Sequence, residues 1–178
     1  MRIIAGKLGG RVYETPGTHK THPMSDKVKG ALFNVLGDLD GLTVLDAFAG
    51  SGALGFEAIS RGAAHVTLID SDRVAQKTME QNIKSLGLSG ETKLIKASAN
   101  AWLSTNESAL FDIVLCDPPY ASVQVSLLKR LANTVGNQGI AVFSLPPRTA
   151  LELSPEEFVL EASKDYGDAR LVFYRRIR

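Results

Sequence analysis

Val44-Leu45-Asp46-Ala47-Phe48-Ala49-Gly50-Ser51-Gly52-Ala53-Leu54-Gly55 is the stretch that decides how this chain folds. A short apolar run ends in a carboxylate, and a glycine-rich turn then leads into a segment of helical period. The spacing Gly50-x-Gly52-x-x-Gly55 is the G-x-G-x-x-G pattern in the strand-to-helix setting that gives it meaning. Glycines there let backbone approach a ligand closely. Asp70, twenty residues after Gly50, ends the next apolar run and can accept both hydroxyls of a ribose. A nucleoside cofactor is indicated. The competing explanation, a glycine turn that only lets a helix pack tightly on a strand, gives Asp46 and Asp70 no role.

Asp46 decides which nucleoside. In a dinucleotide site the pyrophosphate lies over the helix N-terminus, where a carboxylate four residues ahead of the first glycine would repel it. S-adenosyl-L-methionine carries a sulfonium and an α-ammonium instead, and a carboxylate can pair with the ammonium. The expected cofactor is therefore S-adenosyl-L-methionine, with S-adenosyl-L-homocysteine as product. Its expected contacts here are Asp46, Phe48, Ala49, Gly50, Ser51, Gly52, Asp70 and Ser71.

Outward from this stretch, short β-branched runs alternate with longer segments of helical period, which predicts an α/β fold on a parallel sheet. Strands are expected at Thr43–Asp46, His65–Ile69, Thr92–Lys96, Ile113–Cys116 and Ile140–Leu145, the last stopped by Pro146-Pro147. Helices are expected at Ala53–Arg61, Arg73–Leu86, Ala99–Leu103 and Val123–Val135. Phe158–Ser163 and Arg170–Ile177 read as a terminal antiparallel hairpin turning at Tyr166-Gly167-Asp168. Upstream, Arg2–Ala5 and Arg11–Tyr13 suggest a small hairpin around Gly6, Gly9 and Gly10. A helix from about Ser25 to Leu36 follows, with Ser25 as N-cap and Asp26 in its first turn.

Asp117-Pro118-Pro119-Tyr120 follows Ile113-Val114-Leu115-Cys116 and so opens the loop at the carboxyl end of the fourth strand, the edge where open α/β sheets bind ligands. Each proline biases the residue before it toward extended backbone, so the loop is stiff. An exocyclic amine on a nucleobase is a poor nucleophile, because its lone pair is delocalised into the ring. A carboxylate (Asp117) and a backbone carbonyl (Pro118) that accept its two N–H bonds would localise that pair and stabilise the charge that develops on nitrogen. Tyr120 is placed to stack on the base, which must be flipped out or single-stranded to be reached. The catalytic assignment is thus Asp117, Pro118, Pro119 and Tyr120. As a plain turn, the tetrapeptide would lack donors, because two of its residues have no N–H. Cys116 reads as a small buried hydrophobe.

At 178 residues the chain has the length of one domain, divided into an extension at 1–40 that is expected to contact RNA and a catalytic core at 41–178. One cysteine and three histidines without ligand spacing exclude a disulfide framework and predict no metal site. With no apolar run of membrane-span length and no secretory leader, a cytoplasmic protein with no membrane partner is expected. The net charge of +1 hides an uneven division. Residues 1–34 carry six bases against two acids, and residues 164–178 five against two, while the stretch between holds nine against fifteen. Basic ends on an acidic body can supply phosphate contacts without a high overall pI. The candidates for binding substrate are Arg2, Lys7, Arg11, Lys27 and Lys29.

Taken together, these residues resemble the RsmD family of bacterial 16S ribosomal RNA guanine-N2 methyltransferases. The resemblance rests on Arg2-Ile3-Ile4-Ala5-Gly6-Lys7 with Gly10-Arg11, on Leu32-Phe33-Asn34, on Phe48 through Gly55, on Asp117-Pro118-Pro119-Tyr120 and on Tyr166-Gly167-Asp168. It implies a Rossmann-like class I methyltransferase fold with a seven-stranded mixed sheet and an amino-terminal hairpin extension. It also implies that Asp117 to Tyr120 hold the target amine and that Asp46, Gly50 and Asp70 bind the donor. The implied partner is 16S ribosomal RNA, free or within a partly assembled small subunit, and the enzyme is expected to be a monomer. One segment, at His22, Met24 and Gly30, and one further position depart from the family's pattern. Its Arg-Pro-Thr-x-Asp-Arg-Val-Arg-Glu segment stands here as His22-Pro23-Met24-Ser25-Asp26-Lys27-Val28-Lys29-Gly30, which keeps much of the charge but loses a bidentate guanidinium and a hydroxyl. Ser98, followed by Ala99, takes the place where the family often has Asp or Asn near the adenine amino group, and both are included among the cofactor contacts. N6-adenine methylation of DNA or RNA, and an inert RNA-binding assembly factor, are the alternative readings of the same residues.

Overall fold

The structure is a computed structural model that describes residues 1–17 and 23–178. Among these residues seven strands form one sheet in the order β3-β2-β1-β4-β5-β7-β6. They are β1 (Thr43–Asp46), β2 (His65–Asp70), β3 (Thr92–Lys96), β4 (Phe111–Cys116), β5 (Val135–Leu145), β6 (Phe158–Tyr166) and β7 (Ala169–Arg176). The first five pair in parallel, and β7 inserts antiparallel between β5 and β6. This is the mixed seven-stranded sheet of a Rossmann-like class I methyltransferase. Gly167, at φ +65, turns the β6–β7 hairpin as the Tyr-Gly-Asp signal predicts.

Among the described residues five helices cover the sheet: α1 (Asp26–Leu36), α2 (Ala53–Ser60), α3 (Arg73–Leu86), α4 (Ala99–Leu103) and α5 (Val125–Ala132). One face of the sheet packs Val44, Leu68, Leu115 and Phe173 against α1, α2 and α3. The other packs Leu45, Val114, Phe143 and Leu145 against α4 and α5. α3 is amphipathic and is bounded as its sequence requires. The Asp72 carboxylate accepts from the Val74 and Ala75 amides, and left-handed Gly87 ends the helix. α2 is different, because every residue from Leu54 to Ser60 is buried. A helix buried all round must be covered on both sides. The sheet covers one side and the amino-terminal segment covers the other.

That segment runs down α2 and back along α3. The amides of Ile4 and Ala5 donate to the Glu57 carboxylate at 2.8 and 3.1 Å, and the Lys7 amide donates to the Ser60 carbonyl at 2.7 Å. On the return, the Glu14 backbone and the Asn82 side-chain amide exchange two hydrogen bonds of 2.9 Å. Gly6 is required at the turn, since a Cβ there would stand 1.8 Å from the Ser60 carbonyl oxygen. The expected hairpin is present but short: Arg2 bridges Val12, and the Ile3 and Tyr13 amides donate to the Arg11 and Met1 carbonyls at 2.9 Å. Side chains and carbonyls of the helices take up the backbone groups that a longer ladder would have used.

The helix expected at Val123–Val135 is shorter than its apolar pattern. Tyr120–Ser122 form a 3-10 turn, α5 ends at Ala132, and Val135 already belongs to β5. Val135 pairs with Phe111, and the next pairs are Ile113 with Ile140, so residues 136–139 loop out of the ladder with Gln138 at φ +66. Gly139 permits this close pass, as a Cβ there would lie 2.5 Å from the Asp112 carbonyl oxygen.

Candidate active site

The sheet order reverses at β1, which has β2 on one side and β4 on the other. Helices leaving the carboxyl ends of β1 and β4 depart to opposite faces, and a crevice opens between them. A cavity of about 950 Å³ lies there, lined by Asp46, Phe48 to Ser51, Asp70, Ser71, Ser98, Ala99, Asp117 and Pro119. The structure therefore brings nearly all of the expected cofactor residues to one place, together with half of the expected acceptor loop. Gly52 lies under the loop, Pro118 is buried behind it, and Tyr120 stands beside the cavity.

Each glycine of the turn answers a separate demand. Gly50 (φ +54) and Gly52 (φ +84) adopt the left-handed backbone that tightens the turn, and a Cβ on Gly52 would enter the Phe56 ring at 2.5 Å. Gly55 is set by packing: a Cβ there would lie 2.3 Å from the Leu68 side chain of β2. The amide of Gly55 donates to Asp46 Oδ2 at 3.1 Å, so strand end and helix start are tied.

Asp46 is 1% exposed, and among the described residues its Oδ1 has no hydrogen-bond partner. Burial, with Asp117 adding repulsion, pushes its carboxyl from 3.8 up to about 7. A buried carboxylate oxygen that lines a cavity and lacks a donor fits a cationic N–H group. Asp70 is organised differently. Its Oδ2 accepts from the Gly50 amide at 2.7 Å and its Oδ1 from the Asp72 amide at 2.8 Å, which fixes the carboxylate while each oxygen keeps a second lone pair for a ribose hydroxyl. Ser98 caps α4 by accepting from the Ala101 amide at 3.1 Å. Its hydroxyl proton is what it can offer a ligand.

On the acceptor side, burial pushes the Asp117 carboxyl from 3.8 up to about 6, and the Ser144 hydroxyl offsets part of that rise. The Tyr120 hydroxyl lies 2.8 Å from Ser144 Oγ on β5. Tyr120 is 38% exposed, so its ring remains available to a base.

The five bases expected to bind substrate fall into three groups. Arg2 pairs with Asp26 at 3.8 Å, and Arg2 and Lys27 are exposed and follow Met1 and Met24 of the cavity lining in sequence. Lys7 pairs with Glu91 just before β3, and the Arg11 guanidinium donates to the Ser85 and Leu86 carbonyls at the far end of α3. Neither side chain reaches a residue that lines the cavity, although the Arg2–Val12 bridge keeps the Arg11 backbone close to Arg2. Lys29 corrects the expectation outright. Its side chain is 0% exposed, with Nζ 3.2 Å from the Arg2 carbonyl oxygen and 3.8 Å from Asp26, so it holds the extension in place and touches no substrate. His22 lies outside the described residues.

Sequence reasoning missed Met1, Thr15, Pro16 and Met24, which line the donor end of the cavity, and Gln124, which lines it near the acceptor loop. No periodic signal marks the first four; long-range docking of the extension brings them there. Asp72 was detectable as an N-cap two residues past β2.

A family model described as "Conserved hypothetical protein 95" matches residues 1–175. Ribosomal RNA small subunit methyltransferase D of Haemophilus influenzae is 36% identical over 98% of this chain and 92% of its own. The Escherichia coli protein of the same name is 35% identical over 78% of this chain and 68% of its own. A solved Escherichia coli structure described as "Putative methyltransferase yhhF" superposes with a TM-score of 0.87, at 30% identity over 99% of this chain and 98% of its own. By the family match over residues 1–175 and these relatives, the chain belongs to the RsmD family of ribosomal RNA methyltransferases.

Proposed function

We propose that the chain transfers a methyl group from S-adenosyl-L-methionine to the exocyclic N2 amine of a guanine in 16S ribosomal RNA. The observation that carries the reading is the pair Asp46 and Asp117, which stand at the ends of adjacent strands and line one cavity. One carboxylate suits a cationic donor and the other a neutral amine. Ribosomal RNA is supported by the relatives named for it, and guanine N2 by the resemblance of the motifs.

When bound, the donor supplies an electrophilic methyl on a sulfonium. Asp46 would hold the α-ammonium through Oδ1, and Asp70 would accept the ribose hydroxyls. Asp117 and the Pro118 carbonyl accept the two N–H bonds of the amine, which directs its lone pair toward the methyl. An amine that accepted that methyl would have to shed a proton. Asp117, raised to about 6, has the affinity to take it near neutral pH. Tyr120 stacks on the base, and Arg2 and Lys27 meet phosphate.

The test uses purified protein, radiolabelled donor and immature small ribosomal subunits from a strain that lacks its own enzyme. Label should appear in RNA with wild-type protein and fall by at least a hundredfold with Asp117→Ala. RNA binding without transfer by the wild type would support the inert assembly factor instead.

A further inference from the structure

Ser144 is the one hydroxyl in the run Ile140-Ala141-Val142-Phe143-Ser144-Leu145 of β5, and it is 3% exposed. A serine there gives up apolar packing that its neighbours Phe143 and Leu145 supply, so the hydroxyl needs a reason. Cys116 is in register with Phe143, which sets Ser144 beside Asp117 in the next position along. Its Oγ lies 2.8 Å from the Tyr120 hydroxyl, and the register places the Asp117 carboxyl next to it, where its hydroxyl lowers the carboxyl's proton affinity.

We infer that Ser144 is a positioning residue for the acceptor site, joining Tyr120 and Asp117 in a directed chain of hydrogen bonds that sets the ring and the carboxylate together. The direction follows from the donor inventory. An ionised carboxylate only accepts, and a serine hydroxyl has one proton. Ser144 therefore gives that proton to Asp117 and accepts the proton of Tyr120. The chain ties the tyrosine ring to the carboxylate, and it stabilises the ionised form of Asp117 that the amine requires. The other groups facing this chain are Asp46 from β1, Cys116 from β4 and Asp168 from the β6–β7 turn. Burial is what disfavours a charge on Asp117, and the donor from Ser144 is the contact that opposes it.

The inference rests on the acceptor reading above, but its test does not need turnover. In carbon-labelled protein without donor or RNA, the Asp117 carboxyl is titrated by NMR in the wild type, Ser144→Ala, Ser144→Thr and Tyr120→Phe. Ser144→Ala should raise the midpoint clearly, Tyr120→Phe should raise it less, and Ser144→Thr should restore it. Equal midpoints in wild type and Ser144→Ala, or a larger effect from Tyr120→Phe, would overturn the inference. If the wild type also proves active on RNA, Ser144→Ala should lower kcat at least tenfold at neutral pH and displace the acid limb of the profile upward, with donor affinity unchanged. A loss confined to donor affinity would also overturn it. Failure of the wild type to methylate RNA would count against the proposed function and leave the titration to decide Ser144.

Discussion

Replacing Asp46 by Asn should make the donor-free protein more stable and its donor complex weaker, and the opposite signs are what the site geometry requires. Asn keeps a side-chain oxygen to accept the Gly55 amide, so the tie between β1 and α2 survives. What disappears is a carboxyl that burial and Asp117 hold at about 7, against 3.8 when exposed. A raised carboxyl favours the folded state below pH 4 and penalises it progressively as pH climbs toward 7. The full difference corresponds to about 4 kcal/mol, of which about 3 kcal/mol falls between pH 5 and 8. Urea unfolding without donor should therefore show the wild type losing on the order of 3 kcal/mol between these pH values. Asp46→Asn should lose less by most of that amount, with an unchanged urea slope. At pH 8 the variant should melt roughly 8 °C or more above the wild type. Calorimetry with S-adenosyl-L-homocysteine should show affinity falling by about 10- to 100-fold, as expected when a charged hydrogen bond is lost. Parallel pH profiles for the two proteins, or a variant that loses both stability and affinity, would refute the placement of a strained carboxylate beneath the donor.

Three further outcomes follow from the same coordinates. Gly55→Ala should destabilise the fold by about 1–3 kcal/mol, read by urea unfolding, because its methyl would overlap the Leu68 side chain at 2.3 Å. Glu57→Gln should lower stability by about 3 kcal/mol and raise hydrogen exchange at the Ile4 and Ala5 amides, because the buried carboxylate also receives Arg61 Nε at 2.8 Å. Removing the charges of Arg2 and Lys27 should raise KM for RNA and reduce the salt dependence of binding by about two phosphate contacts, whereas Lys7→Ala and Arg11→Ala should change KM less, as Lys7 pairs with Glu91 and the Arg11 guanidinium is engaged by the Ser85 and Leu86 carbonyls.

The sheet and the donor turn were legible because local chemistry fixes them. β1 and β3 have the predicted bounds, and the three glycines occupy the conformations and close contacts that their spacing implies. What sequence could not show depends on distant partners. Lys29 has the charge of an RNA contact, yet Asp26 and the Arg2 carbonyl draw it inward, and nothing near residue 29 reveals that. The basic carboxyl terminus is similarly committed. Arg175 pairs with Glu161, and Arg176 donates to the Asn133 and Val135 carbonyls, so these bases brace the sheet edge. The start of β5 was hidden because Val135 continues the apolar period of α5, while residues 136–139 loop out with no local apolar pattern. Ser144 was visible as a lone hydroxyl in an apolar strand, but only the register places it beside Asp117.

Nucleoside mass spectrometry of digested small-subunit RNA, taken before and after incubation with the wild-type protein and with Asp117→Ala, weighs the central assignment in one step. A gain of one N2-methylguanosine per subunit with the wild type, absent with the variant, is the expected result. N6-methyladenosine in its place, or equal gains with both proteins, would contradict the assignment of Asp117 and its loop to a guanine amine.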